Sequence, residues 1–282
     1  MEQCGRNRVD SSYAKSQGNV LKSLRLSLLV LLVLQFSDPH AICQTASPIR
    51  LAGREANIEP RSTIDFPTAG VLRKSTLSSA VEFFQDGGVL VSLSYGVFTR
   101  LSIGISYGGG GILGSSDVSF NKAPGVNLKW RIVDETVRTA AIAIGFDSQG
   151  RESYIDSTKR YSIKSPGFFI VASKNYSLLG YLSIHGGLNY SLERNDDRDP
   201  NGFLGVEKTL GPAVSFLGEY NLGTNDDSRR SLGRGRGYLN VGLRWALADG
   251  FVIGFDLKDL LKNRARGSFS NRILKLEYAR AF

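Results

Sequence analysis

The stretch Leu182-Ser183-Ile184-His185-Gly186-Gly187-Leu188-Asn189-Tyr190-Ser191-Leu192-Glu193 decides how this chain is read. Leu182, Ile184, Leu188, Tyr190 and Leu192 alternate with Ser183, His185, Asn189, Ser191 and Glu193, and the glycines at 186 and 187 keep the register. Successive side chains of a β-strand point to opposite faces, so this order gives one apolar and one polar face. A helix would scatter the same residues around its circumference.

The same alternation recurs on both sides of that stretch, as in Val89 to Val97, Leu101 to Tyr107, Val214 to Leu222 and Leu239 to Leu247. About twelve strands are expected, near 76–85, 88–98, 100–110, 125–133, 136–147, 165–174, 179–193, 202–210, 213–223, 237–247, 250–258 and 271–282. Their connections sort by parity. Tight turns are expected at Val97–Arg100, Val133–Thr136, Asn175–Leu178, Leu210–Pro212 and Ala248–Gly250, with long loops at 111–124, 148–164, 194–201, 224–236 and 259–270. Asp86–Gly87 is the exception, a tight turn on the long-loop side. Short turns at one end and long loops at the other describe an all-β, transmembrane, antiparallel up-and-down β-barrel.

Composition is compatible with that fold. Charged residues make up 22% of the 282 and the hydrophobic set 41%, which looks like a soluble globule. Only alternate residues of a membrane strand meet lipid, so the apolar signal is diluted. Opposite the apolar stripes lie Glu82, Lys129, Arg131, Glu193, Glu207, Glu219, Arg244, Asp256, Lys275 and Glu277, four basic and six acidic. With His185 they are expected to form a polar network in the lumen. A mixed-sign lining favours mutual neutralisation over a one-sign conduit. Leu274, Leu276, Tyr278 and Phe282 share a face of the last run, and Tyr278 with Phe282 is the expected signal for the barrel-assembly machinery.

The first residues differ. Lys22 and Arg25 flank the apolar run Leu24–Phe36, which breaks at Ser37-Asp38-Pro39 and is followed by Ala41 and Ala46. This is the pattern of a secretory signal peptide. The expected division is a signal peptide at 1–46, a periplasmic segment at 47–74 and an outer-membrane barrel at 75–282. Cleavage near Cys43 would remove both cysteines, Cys4 and Cys43, so no disulfide framework is needed. Taking that segment's five basic and three acidic side chains from the net +9 leaves about +7, spread over many loops. Outer-membrane lipid is the expected partner, and nucleic acid is not.

Few residues carry chemistry. Ser183 and His185 stand two apart on one strand, with Asn189 further along the same face. A lumenal hydrogen-bond network explains them better than a hydrolase, so no catalytic residue is assigned and the chain is not read as an enzyme. Asp197-Arg198-Asp199-Pro200-Asn201-Gly202 resembles the opening of a calcium loop, but Lys208 stands where the closing Glu belongs. Gly108–Gly111 lacks the Lys of a phosphate loop. No metal and no cofactor is expected. Arg229, Arg230, Arg234 and Arg236 make one loop basic, a solvated surface or a site for acidic glycan or lipid phosphate.

Several segments carry a family resemblance: Phe66-Pro67-Thr68-Ala69-Gly70, Tyr95-Gly96-Val97-Phe98, Ile144-Gly145-Phe146-Asp147, Ser173-Lys174-Asn175, His185-Gly186-Gly187-Leu188-Asn189-Tyr190 and Gly237-Tyr238-Leu239-Asn240-Val241-Gly242-Leu243-Arg244. Over roughly residues 63–282 the chain resembles the YjbH-like (GfcD-like) outer-membrane barrels associated with exopolysaccharide and capsule operons. The resemblance implies a structural or transport role in exopolysaccharide secretion or anchoring, with exopolysaccharide and periplasmic secretion proteins as partners. It brings no catalytic residues. Larger members carry more than one barrel, and this chain has room for one. A general small-solute channel and an outer-membrane lipid or glycan hydrolase are the alternatives.

Overall fold

The structure, a computed structural model, describes residues 59–114, 117–193, 195–264 and 271–282. The signal-peptide expectation lies outside the described residues. Fifteen strands follow in order: β1 (Thr76–Phe84), β2 (Gly88–Phe98), β3 (Leu101–Gly110), β4 (Ser119–Phe120), β5 (Gly125–Val133), β6 (Ala141–Asp147), β7 (Arg151–Ile155), β8 (Arg160–Ile163), β9 (Gly167–Ser177), β10 (Tyr181–Tyr190), β11 (Asn201–Thr209), β12 (Val214–Asn221), β13 (Tyr238–Ala248), β14 (Phe251–Lys258) and β15 (Asn271–Ala281). Twelve of these close an antiparallel barrel; β4 only extends the end of β3, and β7 and β8 form a separate hairpin. The seam is β1 with β15, in register from Thr76↔Ala281 to Phe83↔Leu274. Below it the Phe282 N–H bonds the Ser75 carbonyl at 2.9 Å. Closure leaves none of the twelve wall strands as an edge with unpaired backbone, which lipid could not satisfy.

The barrel is apolar outside and polar inside. On β10, Ile184 is 47% and Leu188 62% exposed, whereas Ser183 is 2% and His185 4% exposed. Leu93, Ile103, Leu128, Ile170, Leu204, Leu243 and Phe255 continue the exposed apolar belt around the wall. A soluble barrel would show the reverse, so the solvent for this belt is the bilayer. Among the described residues no helix is long and apolar enough to cross a membrane.

Turn chemistry follows the two ends. Asp86 (φ 60°) and Gly87 (φ 65°) both take the left-handed conformation that a two-residue hairpin turn requires, which accounts for the short connection on the long-loop side. Two expectations shift. The strand expected from 136 begins at Ala141, because Thr136 and Thr139 close a turn of their own, Thr136 N–H to the Thr139 carbonyl at 3.1 Å. The strand expected at 165–174 runs from 167 to 177.

The larger correction concerns residues 59–74, expected in the periplasm. Residues 59–72 of this stretch lie inside the barrel, and Arg73 and Lys74 are exposed. Phe66 and Ala69 pack with Ala141, Ala143, Phe169, Val171 and Phe203, and Leu72 packs with Ala246, Val252 and Ala279. The Phe66 and Phe203 rings stack with centroids 4.6 Å apart. These inward-facing small and apolar residues leave a hollow that only another apolar surface can fill. Burying a Phe in it stabilises by roughly 1.5–3 kcal/mol.

Candidate functional site in the barrel lumen

The inserted segment turns back on itself, with the Thr63 N–H on the Phe66 carbonyl (3.0 Å) and the Thr68 N–H on the Arg61 carbonyl (3.1 Å). A turn inside a barrel presents backbone groups that need partners. Lumenal charges supply them. Glu219 of β12 accepts the N–H groups of Ile64 (3.0 Å), Asp65 (2.9 Å) and Phe66 (2.9 Å), the Thr63 hydroxyl (2.5 Å) and the Asn240 amide (3.0 Å). Lys129 of β5 does the converse, donating to the carbonyls of Arg61 (2.6 Å), Thr68 (3.0 Å) and Gly70 (3.1 Å). One anion holds the turn's donors and one cation its acceptors. Gly205 makes room for them, since a Cβ there would come within 2.5 Å of the Thr63 methyl.

The remaining charges pair off. Arg244 forks onto Asp256 at 2.5 and 3.1 Å and also reaches the Thr63 carbonyl at 3.2 Å. Arg61 meets Glu277 and Ser78. Lys275 meets Glu82 at 2.9 Å, and Arg131 meets Glu59 (2.5 Å) and Asp134 (3.0 Å). Glu207 is buried at 3% exposure on the lumen face of β11. Glu193 is the member placed elsewhere. It lies past the end of β10, where its carboxylate accepts the N–H groups of Tyr161 (2.8 Å) and Ser165 (2.9 Å), so it serves the extracellular loops and not the lumen.

Sequence reasoning missed the members that complete the network. Asp65 of the inserted turn receives Lys258 of β14 at 2.7 Å, and the Arg151 guanidinium of β7 donates to its carbonyl at 3.1 Å. Glu152 is paired with Arg264 at 2.5 Å and Lys258 at 3.5 Å. The β7–β8 hairpin therefore comes down from the long-loop end and meets the segment that rises from the short-turn end. Lys258 shares the parity of Asp256 and was available to the same argument; Asp65 and Arg151 stand in stretches without alternation.

His185 bonds Ser173 on the neighbouring strand (2.8 Å), and Ser173 also accepts the Ala69 N–H at 2.8 Å. Ser183 bonds Asn175 at 2.5 Å instead. The two residues of the hydrolase alternative thus have different partners, and His185 serves to anchor the inserted segment. Nor does the calcium-like loop hold a cation site. Asp197 accepts backbone N–H groups of Asp199, Asp227 and Ser228, while Lys164 supplies the positive charge, on Asp196 at 2.7 Å and the carbonyls of Asp197 (3.0 Å) and Asn225 (2.8 Å). Among the described residues no group of three or more His, Cys, Asp or Glu side chains converges as a metal site.

Beside the inserted segment the lumen keeps a polar cavity of about 110 Å³. Ser92, Ser94, Ser102, Ser106, Asn127 and Gln149 line one side of it. Five basic side chains (Arg61, Lys129, Arg151, Arg244 and Lys275) and three acidic ones (Glu82, Asp147 and Glu277) face it from the rest of the wall.

No protein-family model matches the chain, and no curated protein matches it in sequence. Solved structures do resemble it in shape. A KdgM porin aligns with TM-score 0.46 at 9% identity, over 72% of this chain and 98% of that one. A NanC porin aligns with TM-score 0.43 at 10% identity, over 73% and 99%. Omp33, an outer membrane protein of Acinetobacter baumannii, aligns with TM-score 0.40 at 8% identity, over 73% and 97%. On its own geometry, a closed twelve-strand wall with an apolar belt and a charged interior, this chain is an outer-membrane β-barrel.

Proposed function

We propose that the barrel is a narrow channel for small polar solutes that is held shut by its own residues 59–74. The observation that supports this is the serine- and amide-lined cavity beside the inserted segment. A barrel serving only as a scaffold gains nothing from a hydrated gap, whereas hydroxyls and amides along one wall replace the hydration of a passing solute. The segment is attached by hydrogen bonds from Lys129, Glu219 and Arg244 and by the Lys258–Asp65 ion pair, contacts that can be exchanged for water one at a time. The exopolysaccharide role implied by the family resemblance is the wide-cargo form of the same proposal, and it requires the segment to leave the lumen.

Liposome swelling tests the reading. The full chain should admit a pentose slowly, and a variant lacking residues 59–70 should admit it at least about tenfold faster, because the space the segment occupies then fills with water. Gly205→Phe, which crowds Thr63 out of its seat from the wall while leaving the segment's own sequence intact, should act in the same direction. If both variants migrate as folded barrels and stay as impermeable as the full chain, the channel reading falls.

A further inference from the structure

A groove of about 370 Å³ opens at the long-loop end of the barrel, outside the lumen. Its lower wall consists of outward-facing residues at the ends of three strands: Pro124 before β5, Phe146 on β6 and Leu192 after β10. This wall runs without a break into the lipid-facing belt, since Phe146 packs on Phe168 with centroids 4.9 Å apart and Phe168 is itself 58% exposed. The upper wall is the β7–β8 hairpin, where Tyr154 and Tyr161 meet edge to face with centroids 5.1 Å apart.

Two lysines, Lys122 and Lys159, stand in this groove, and both are exposed. Neither has a carboxylate partner among the described residues. The one carboxylate in the lining, Glu193, is occupied by the N–H groups of Tyr161 and Ser165. Burial pushes Glu193 up from the ordinary carboxylate value. The groove thus joins an apolar floor, continuous with lipid, to unneutralised positive charge at the level where headgroups begin.

We propose that this groove seats a phosphorylated lipid of the outer leaflet, with phosphate oxygens on Lys122 and Lys159 and an acyl chain along Phe146, Phe168 and Leu192. Lysine is suited to the task. Its methylene stem lies along apolar surface while the ammonium reaches the phosphate. Cations at a membrane surface draw anionic headgroups, and an apolar floor adds the selectivity for lipid over a free anion. The proposal does not depend on whether the lumen conducts.

The test is native mass spectrometry of the full chain in detergent, titrated with bisphosphorylated lipid A and with its dephosphorylated form. The wild type should retain one phosphorylated lipid and bind the dephosphorylated form about tenfold more weakly or worse. K122Q/K159Q should lose affinity for the phosphorylated form by a similar factor while keeping the heat-dependent gel migration of a folded barrel. R229Q/R230Q, which changes the same net charge elsewhere, should bind like the wild type. Unchanged binding in K122Q/K159Q would overturn the site, as would equal affinity for the two lipids. An equal loss in R229Q/R230Q would assign the effect to diffuse charge or to the basic loop at 229–236, and would overturn the groove as the site. Displacement of the lipid by inorganic phosphate alone would make the groove an anion site and end the lipid assignment.

Discussion

Glu219 is 1% exposed, and its carboxylate accepts three consecutive backbone N–H groups of the inserted turn. Replacing it with Ala strands those donors, and each buried donor left unpaired costs about 1–3 kcal/mol. The inserted turn, not the strand wall, has to give way. Glu219→Ala should therefore make Ala69→Cys reactive toward a thiol reagent, read by peptide mass, in a barrel that still migrates as folded; Ala69→Cys alone should stay protected, being at a position now 1% exposed. Reactivity in both would mean that the segment is not held where the geometry puts it. A second prediction separates the two faces of the wall. Ile184→Arg and Leu243→Arg put a charge into lipid and should cost roughly 2–4 kcal/mol near mid-membrane. Ser94→Arg enters the polar cavity and should cost far less. Asn189→Arg should be as damaging as the lipid-face changes, although it points inward. Asn189 is 3% exposed, donates to the Pro166 carbonyl at 2.8 Å and accepts from Asn201 at 2.9 Å, so no water-filled space receives the new side chain. Folding yields into lipid vesicles decide this, and equal tolerance at Ile184 and Ser94 would contradict the inside-out assignment.

The elements differ in how plainly the sequence announced them. Twelve wall strands were legible because each alternates over several residues, and alternation survives any tertiary context that keeps one face in lipid. The β7–β8 hairpin was hidden in an expected loop at 148–164. Its strands span only Arg151–Ile155 and Arg160–Ile163, too short for period-two patterning, and they are held by side chains from distant loops. Arg160 makes that attachment, reaching Asp196 and Asp226 at 2.5 Å each. The inserted segment was hidden for the opposite reason: it is irregular, and its contacts are set by the wall around it, so nothing local marks it as buried. The expected lumen charges were found through strand parity, and Glu193 strayed because the alternation of β10 continues three residues beyond the last paired one. The hairpin also carries a pH dependence. Burial disfavours the Asp196 carboxylate, but hydrogen bonds and charge from Lys164 and Arg160 outweigh it and hold Asp196 below the ordinary carboxylate value of 3.8. A depressed value means that this stabilisation is complete above the ordinary value and is lost as the pH falls below it through the folded one. Protease cleavage within 151–163 should therefore appear on acidification below about pH 4, and Asp196→Asn should show it at neutral pH. A hairpin equally resistant in Asp196→Asn would mean that Asp226 alone retains it.

At the scale of the whole molecule, the wall and its contents answer to different solvents. Lipid selects the apolar belt and closes the hydrogen-bond circuit from β1 to β15, while the interior is filled by charges that neutralise one another. The mixed-sign lining is read from the parity of single strands; that these charges grip a piece of the same chain is not written in any one of them. With segment 59–74 entering from the short-turn end and β7–β8 from the long-loop end, the described residues keep the serine-lined cavity of about 110 Å³, which is the solute route of the proposed channel. The central claim is that the inserted segment, held by Lys129 and Glu219, closes this route. Single-channel recording in planar bilayers, comparing the full chain with the Lys129→Met/Glu219→Ala double variant, tests it most directly. The full chain should stay closed for most of the record, and the double variant should open in uniform, long-lived steps. Indistinguishable records, open or closed, from two equally folded proteins would contradict the account.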